Sequence, residues 1–276
     1  MVRGGECSGV NDFSTGPVRV EVEHGVARLT LDRPAKLNAL SLELLQRIVD
    51  AASAIDRSDA KVVIVCGAGR AFSAGFDLAD FGRPADPQSA DPHSVGTTGA
   101  AADLGRRAAA ALEAIAAVTI AAIHGHCVGG GVVLAAACDL RIAAADTRFA
   151  IPEIDLGIPL AWGGIPRLVR ELGPARTREL VMTGAPFSAA DAERFGLLNR
   201  VVARDDLDAE VDEWVRTLLA KPSVALRATK QQVRIAAESM ASTAHADADA
   251  ILLGESLRDP EAIARARAYL ARTQRG

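Results

Sequence analysis

The chain is predicted to be an α/β protein that ends in a helical region, and three observations carry that prediction. Between residues 18 and 162, short strand-like runs take turns with segments of helical apolar spacing. Glycines stand where strand-like runs stop, in "CGAG" and "VGGG", as they do where a strand hands over to a loop or helix. From Gly163 onward the apolar pattern is helical. Together these give β-α-β connections over residues 18–205 and a helical C-terminal region over 206–276.

In chain order, residues 1–17 have neither an apolar signal core nor an arginine-rich amphipathic pattern, and are expected to form a flexible tail. "VRVEVEHGVARLTLDRP" alternates around His24-Gly25 as a hairpin with one buried face does. In "SLELLQRIVDAASAIDRS", Leu42, Leu45, Ile48, Val49 and Ala52 recur at helical spacing behind a Ser41 N-cap. "AKVVIVCGAG" reads as a buried strand and "RAFSAGFDLADF" as a loop entering a short helix. Residues 82–103, rich in Gly, Pro, Ser and Asp, read as a mobile surface loop within the core. "LGRRAAAALEAIAAV" is helical, "TIAAIHGHCV" is one strand, "GGVVLAAACDL" opens a buried helix, and "RIAAADTRFAI" is a further strand. Helices fill the remainder, and no internal repeat is visible.

Composition narrows the chemistry. With 49% hydrophobic residues in 276, the chain can bury a sizeable core. A net charge of -4, with Lys and Arg dispersed, gives no reason to expect nucleic acid or a membrane surface as partner. Cys7, Cys66, Cys127 and Cys138 lack CxxC spacing and three lie in apolar runs, so reduced buried thiols and a cytoplasmic setting are expected. No apolar run reaches the length of a membrane span.

The stretch "AIHGHCVGGGVVLAAACDL" is the most informative. On one strand, His124 and His126 share a face and Cys127 takes the other, so three convergent metal ligands do not follow, and no metal is expected. GxGxxG, GxxxxGK[ST] and GxSxG are all missing. What remains is backbone: the Gly129-Gly130-Gly131 turn before a helix leaves N–H groups free to hold a developing oxyanion. The same glycines also suit close helix packing alone. A second donor would favour the oxyanion reading, and "GAGRAFSAGFDL" offers one, because Gly75 lets the chain turn so that the Phe76 N–H faces the same cleft.

Taken together, "RPAKLNAL", "GAGRAFSAGFDL", "HGHCVGGGVVLAAACDLRIAA", "FAIPEIDLGI" and "DAERFGLLNRVV" resemble the enoyl-CoA hydratase/isomerase (crotonase) family over roughly residues 18 to 240. The resemblance implies a spiral of β-β-α units, a helical C-terminal region that assembles a homotrimer or dimer of trimers, and an acyl-CoA thioester substrate. It places the oxyanion donors at the N–H groups of Phe76 and Gly130. Substrate contacts are implied along Ala74, Gly75, Asp77 and Leu78 and at Gly129. Coenzyme A is part of the substrate, so no separate cofactor is implied. For its phosphates Lys36 is the best local cation, ahead of Arg70 and Lys230.

Of the family's two hydratase carboxylate positions, this chain has Val133 at the first and Glu153 at the second. Water activation and α-carbon protonation around one water use both, whereas moving a double bond from the 3- to the 2-position needs a single base. Δ3,Δ2-enoyl-CoA isomerisation with Glu153 as proton shuttle is therefore the leading reading. Hydration of 2-enoyl-CoA is the alternative, and a weakly catalytic acyl-CoA-binding subunit is a third possibility of another class. Members with an aspartate eight residues beyond Glu153 are disfavoured, since that position is Ala161. Trp162 either narrows the acyl pocket or is an ordinary core tryptophan. Asp139 and Arg141 are expected to brace the buried helix and Glu113 to be solvated. Asp155, two residues past Glu153, would share its face on an extended segment and serve as a second acid; Asp80 or Asp86 could fold over the site instead.

Overall fold

The computed structural model describes residues 13–78 and 97–273. Cys7, Asp80, Asp86 and most of the proposed surface loop lie outside them.

Strands β1 (Val18–Glu23) and β2 (Val26–Leu31) form the expected hairpin, with Val18 opposite Leu31. Its turn residues His24 and Gly25 have φ of 50° and 78°, the left-handed pair that matches the twist of a two-residue hairpin. Helix α1 (Leu42–Asp56) starts at Ser41, whose hydroxyl accepts from the Leu44 N–H, and buries Leu44, Leu45, Ile48, Ala51, Ala52 and Ile55. β3 (Val62–Gly67) and β4 (Val118–Ile123) then join β2 in parallel. Helix α2 (Thr97–Ala114), which lies between them in the chain, begins within the stretch read as loop.

Two segments read as single strands are each split. "TIAAIHGHCV" breaks at Gly125 (φ 62°) into β4 and β5 (His126–Val128). A Cβ at Gly125 would stand 1.9 Å from the Arg70 carbonyl oxygen, so only glycine makes this step. "RIAAADTRFAI" breaks after Ala144 into β6 (Leu140–Ala144) and β7 (Arg148–Ala150). In each pair the first strand joins a six-stranded sheet and the second a three-stranded one.

The large sheet runs β1-β2-β3-β4-β6-β9, with β9 at Arg200–Val202, and the small one β5-β7-β8, with β8 at Phe187–Ser188. Successive turns are thus β4-β5-α3 (α3, Gly130–Ala136) and β6-β7 followed by α4 (Gly164–Thr183). The spiral of β-β-α units is realised without a sequence repeat. β8 and β9 fall where the sequence predicts helix throughout, because strands of two and three residues are too short to show a period.

Both faces of the large sheet are covered, so its strands read as continuous apolar runs. Val63 and Val65 face the main core with α1, α2 and α3, while Val62 and Ile64 face a second cluster with Ile120 and Ile142. That cluster is closed by Leu207, Val211 and Val215 of α6 (Leu207–Leu219), so the C-terminal helices begin against the sheet. Between α4 and α6 comes α5 (Ala189–Arg194). After α6 follow α7 (Ser223–Met240), α8 (Ala248–Ser256) and α9 (Pro260–Thr273). The described end of the expected tail is anchored: Phe13 is buried, its carbonyl accepts from the Val20 N–H, and the Arg47 guanidinium lies 4.5 Å over its ring.

Candidate active site

The glycine triplet adopts the expected conformation. Gly129 has φ 51° and ψ -117°, a region closed to side-chain-bearing residues, and its N–H is bound to the Ala150 carbonyl. The chain enters α3 at Gly130, and all seven α3 residues are buried. As the first helical residue, Gly130 has no intrahelical acceptor for its N–H, and it finds none among the described residues.

The second donor arises from a bridge. Leu40 pairs with Phe76, its N–H bonding the Gly75 carbonyl at 2.8 Å while its carbonyl accepts from Asp77 at 3.1 Å. This pattern leaves the Phe76 N–H outside the ladder and without an acceptor among the described residues. Ser73 ties the two stretches together, donating its N–H to the His126 carbonyl and accepting from Val128, both at 3.0 Å. The approach is close enough that a Cβ at Gly75 would stand 2.9 Å from the Val128 carbonyl oxygen, and one at Gly131 2.9 Å from the Ser73 Cβ.

Glu153 lies on a 3-10 turn, Pro152–Leu156, directly after β7. Its carboxylate stands over the triplet, since a Cβ at Gly129 would be 2.3 Å from Oε1. The residue keeps some surface, but Oε2 is buried and lacks any hydrogen-bond partner among the described residues. Burial pushes the carboxyl up to about 7, against a smaller opposing pull from its own backbone N–H. Glu153, Phe76, Gly130, Val133 and Trp162 border one cavity with about 60 Å³ of free volume. Val133 is fully buried, one helical turn beyond Gly130, and makes an apolar wall of that cavity.

Trp162 has a left-handed φ of 64°, unusual for a bulky residue and worth about 1 to 3 kcal/mol of strain. Its ring meets Phe76 edge-on with centroids 6.3 Å apart and packs on Gly130 and on Gly105 of α2. Its carbonyl accepts from Arg167 Nη1 at 3.0 Å, and the next N–H, of Gly163, donates to Asp249 at 2.8 Å. Trp162 is therefore both buried and a wall of the cavity.

Other sequence-predicted residues take different places. Asp77 is ion-paired to Arg33 at 2.8 Å and its N–H is bound to Leu40, so it braces the loop. Ala74 donates its N–H to the Leu37 carbonyl, and Leu78 is the last described residue before the gap. Lys36 is exposed on the turn Pro34–Lys36 that precedes the Leu40 bridge. Arg70 is exposed as well. Lys230 is removed from the coenzyme A set, because it is held 2.7 Å from Asp139 and 2.9 Å from the Ala117 carbonyl.

Glu113 is not a solvated charge: it pairs with Arg167 and Arg170, both nearly buried. Asp139 accepts from the Thr119 backbone and hydroxyl, and Arg141 binds Glu171 and two carbonyls, so both brace as expected. Asp155 does not share a face with Glu153. On a 3-10 turn, residues two apart point to different sides, and Asp155 is exposed toward Gly184.

His124 and His126 also part company. The buried His124 ring bonds the Gly69 carbonyl and burial lowers its pKa, while His126 is exposed. Among the described residues no group of three or more His, Cys, Asp or Glu could hold a metal ion.

Sequence reasoning missed the frame behind the loop. Asn38, fully buried at φ 55°, accepts from the Arg33 N–H and donates to the carbonyls of Ala68 and Ala71. Its own carbonyl accepts from the Ser73 hydroxyl, which in turn accepts from the Gly75 N–H. The available signal was an Asn next to a turn, a residue type that tolerates left-handed backbone.

The chain is similar to known proteins over most of its length. The enoyl-CoA hydratase/isomerase family profile matches residues 21–272. A Mycobacterium tuberculosis (strain CDC 1551 / Oshkosh) protein named "Probable enoyl-CoA hydratase echA8" is 38% identical over 226 residues, 82% of this chain and 84% of that one. The peroxisomal Delta(3,5)-Delta(2,4)-dienoyl-CoA isomerase of Arabidopsis thaliana is 34% identical over 221 residues, 77% of this chain and 78% of that one. The crystal structure of an enoyl-CoA hydratase/isomerase from Xanthobacter autotrophicus Py2 superposes with a TM-score of 0.81 at 32% identity, covering 93% of this chain and 96% of that one. With the family profile, the relatives and the superposed fold in agreement over most of its length, the chain belongs to the enoyl-CoA hydratase/isomerase (crotonase) family.

Proposed function

We propose that this enzyme isomerises 3-enoyl-CoA to 2-enoyl-CoA, with Glu153 as the single proton shuttle and the Phe76 and Gly130 N–H groups as the oxyanion hole. One observation carries the reading: among the described residues, Glu153 is the only carboxylate bordering the cavity, and Val133 faces it with hydrocarbon. Ionised Glu153 takes a proton from C2, and the electron pair of the broken C–H bond moves into a dienolate whose oxygen is held by the two N–H groups. The same proton returns at C4, so the double bond shifts with no net gain or loss of atoms. A carboxyl near 7 suits a group that must both accept and give back a proton near neutrality. Each oxyanion donor contributes about 3 kcal/mol where the charge develops.

The step balances without a redox agent or a metal, so the reading asks for no cofactor beyond the coenzyme A that the substrate carries. Lys36 is proposed to meet its phosphates from the surface turn. The proposed setting is the cytoplasm, supported by the free thiols of Cys66, Cys127 and Cys138. Among the described residues no helix is long and apolar enough to cross a membrane.

Hydratase stands as the second reading, favoured by the name of the mycobacterial relative. The deciding experiment supplies 3-enoyl-CoA and 2-enoyl-CoA of matched length and identifies products by chromatography. Isomerisation of the 3-enoyl substrate supports the proposal. Rapid formation of 3-hydroxyacyl-CoA without isomerisation assigns the hydratase, and binding with neither product assigns an acyl-CoA-binding subunit.

A further inference from the structure

We infer that Trp162 is a chain-length stop, and that the enzyme accepts acyl groups of about four carbons while rejecting longer unbranched ones. The inference rests on the acyl-CoA reading of the site. With the thioester oxygen at the Phe76 and Gly130 N–H groups and C2 beside Glu153, the acyl tail enters the cavity these residues share. That cavity is small, about 60 Å³, where one water-sized group alone needs about 10 to 15 Å³. An unbranched tail therefore meets its walls within a few carbons of C2.

The Trp162 side of the cavity, which closes it right beside Gly130, is rigid. The indole fills the space between Gly130 and α2, where a Cβ on Gly105 would stand 1.9 Å from the ring and one on Gly130 2.3 Å. No free volume is left for the ring to swing into α2. The backbone is held from both sides of the turn: Arg167 binds the carbonyls of Trp162 and Gly163, Asp249 of α8 binds the Gly163 N–H, and Arg167 is itself fixed by Glu113. Leu160 and Leu253 border the same cavity, so hydrocarbon continues around the stop. A longer chain must displace an indole that four elements hold.

The test measures binding of saturated, unreactive acyl-CoAs by calorimetry. For the wild type, octanoyl-CoA should bind at least about tenfold more weakly than butanoyl-CoA, the scale on which an apolar pocket rejects surplus methylenes. In Trp162→Ala that gap should close through a gain by octanoyl-CoA, and Trp162→Leu supplies the same comparison if the alanine variant does not fold. The chain has two tryptophans, and Trp214 lies on α6 bonded to Glu210 at 2.9 Å. Trp214→Phe therefore leaves Trp162 as the sole indole reporter, and butanoyl-CoA should change its fluorescence.

Equal wild-type affinity for both chains, undiminished discrimination in the Trp162 variants, or an unresponsive indole would each overturn the stop. Because the probes do not react, discrimination that persists alongside failed isomerisation sinks only the proposed reaction. Isomerisation without discrimination sinks only the stop.

Discussion

At the scale of single residues, burial costs Glu153 stability above neutral pH and, in the proposed reaction, sets its basicity. Its carboxyl, about 4.5 when unperturbed, is raised to about 7 by burial. In the folded chain it therefore holds its proton more tightly than in the unfolded chain. Its contribution is most favourable below pH about 4.5, is lost as pH rises through about 7, and above that leaves a buried charge costing on the order of 3 kcal/mol. Glu153→Gln should lose at least about a hundredfold in kcat while keeping acyl-CoA affinity. It should also melt at a higher temperature than wild type at pH 9, with the difference gone at pH 4. Because the base must be ionised, wild-type kcat/KM should rise with pH through about 7. A pH-rate profile with calorimetric melting of both proteins checks all three outcomes. Val133 gives the complementary test: Val133→Glu places a carboxylate one turn from Gly130 and should introduce slow hydration of 2-enoyl-CoA, read by chromatography. The gain is limited by the cost of burying the new group.

At the scale of elements, the two open N–H groups of the proposed oxyanion hole are set by loops that other loops hold. The Phe76 segment hangs between the Leu40 bridge on one side and Ser73 paired with Cys127 on the other. Behind it Asn38 satisfies three backbone groups, and all three lose their partner in Asn38→Ala. That variant should lose about 3 kcal/mol in urea unfolding, the cost of leaving buried polar groups unpaired. It should also lower kcat through the displaced Phe76 N–H. A destabilised protein with unchanged kcat would separate the frame from the chemistry.

At the scale of the whole molecule, the helices after the sheet are unevenly covered. α6 is packed onto the sheet, whereas α7 has no buried residue and exposes Val224, Val233 and Met240. We propose that subunit contacts cover this surface in a trimer or dimer of trimers. Light scattering at micromolar concentration should then give three or six times the 28.7 kDa chain mass, and a monomeric mass would refute it.

What the sequence alone determined was local. The His24-Gly25 turn, the Ser41 cap, the apolar strands and the glycine triplet announce themselves because periodicity and φ preferences act between near neighbours. The single carboxylate, Glu153 without a partner at Val133, was also legible, since it is a matter of residue identity at matched positions. Tertiary structure decided the rest. Whether "TIAAIHGHCV" is one strand or two depended on the Arg70 backbone against Gly125. Glu113 and Lys230 look like surface charges until Arg167 and Asp139 reach them across 54 and 91 residues of chain. Asp155 left the site because the turn is 3-10 and not extended. Trp162 became a wall through Gly105, Gly130 and Phe76, three residues from three different segments. Contacts of that kind are made through space between distant parts of the chain, and no spacing along the sequence records them.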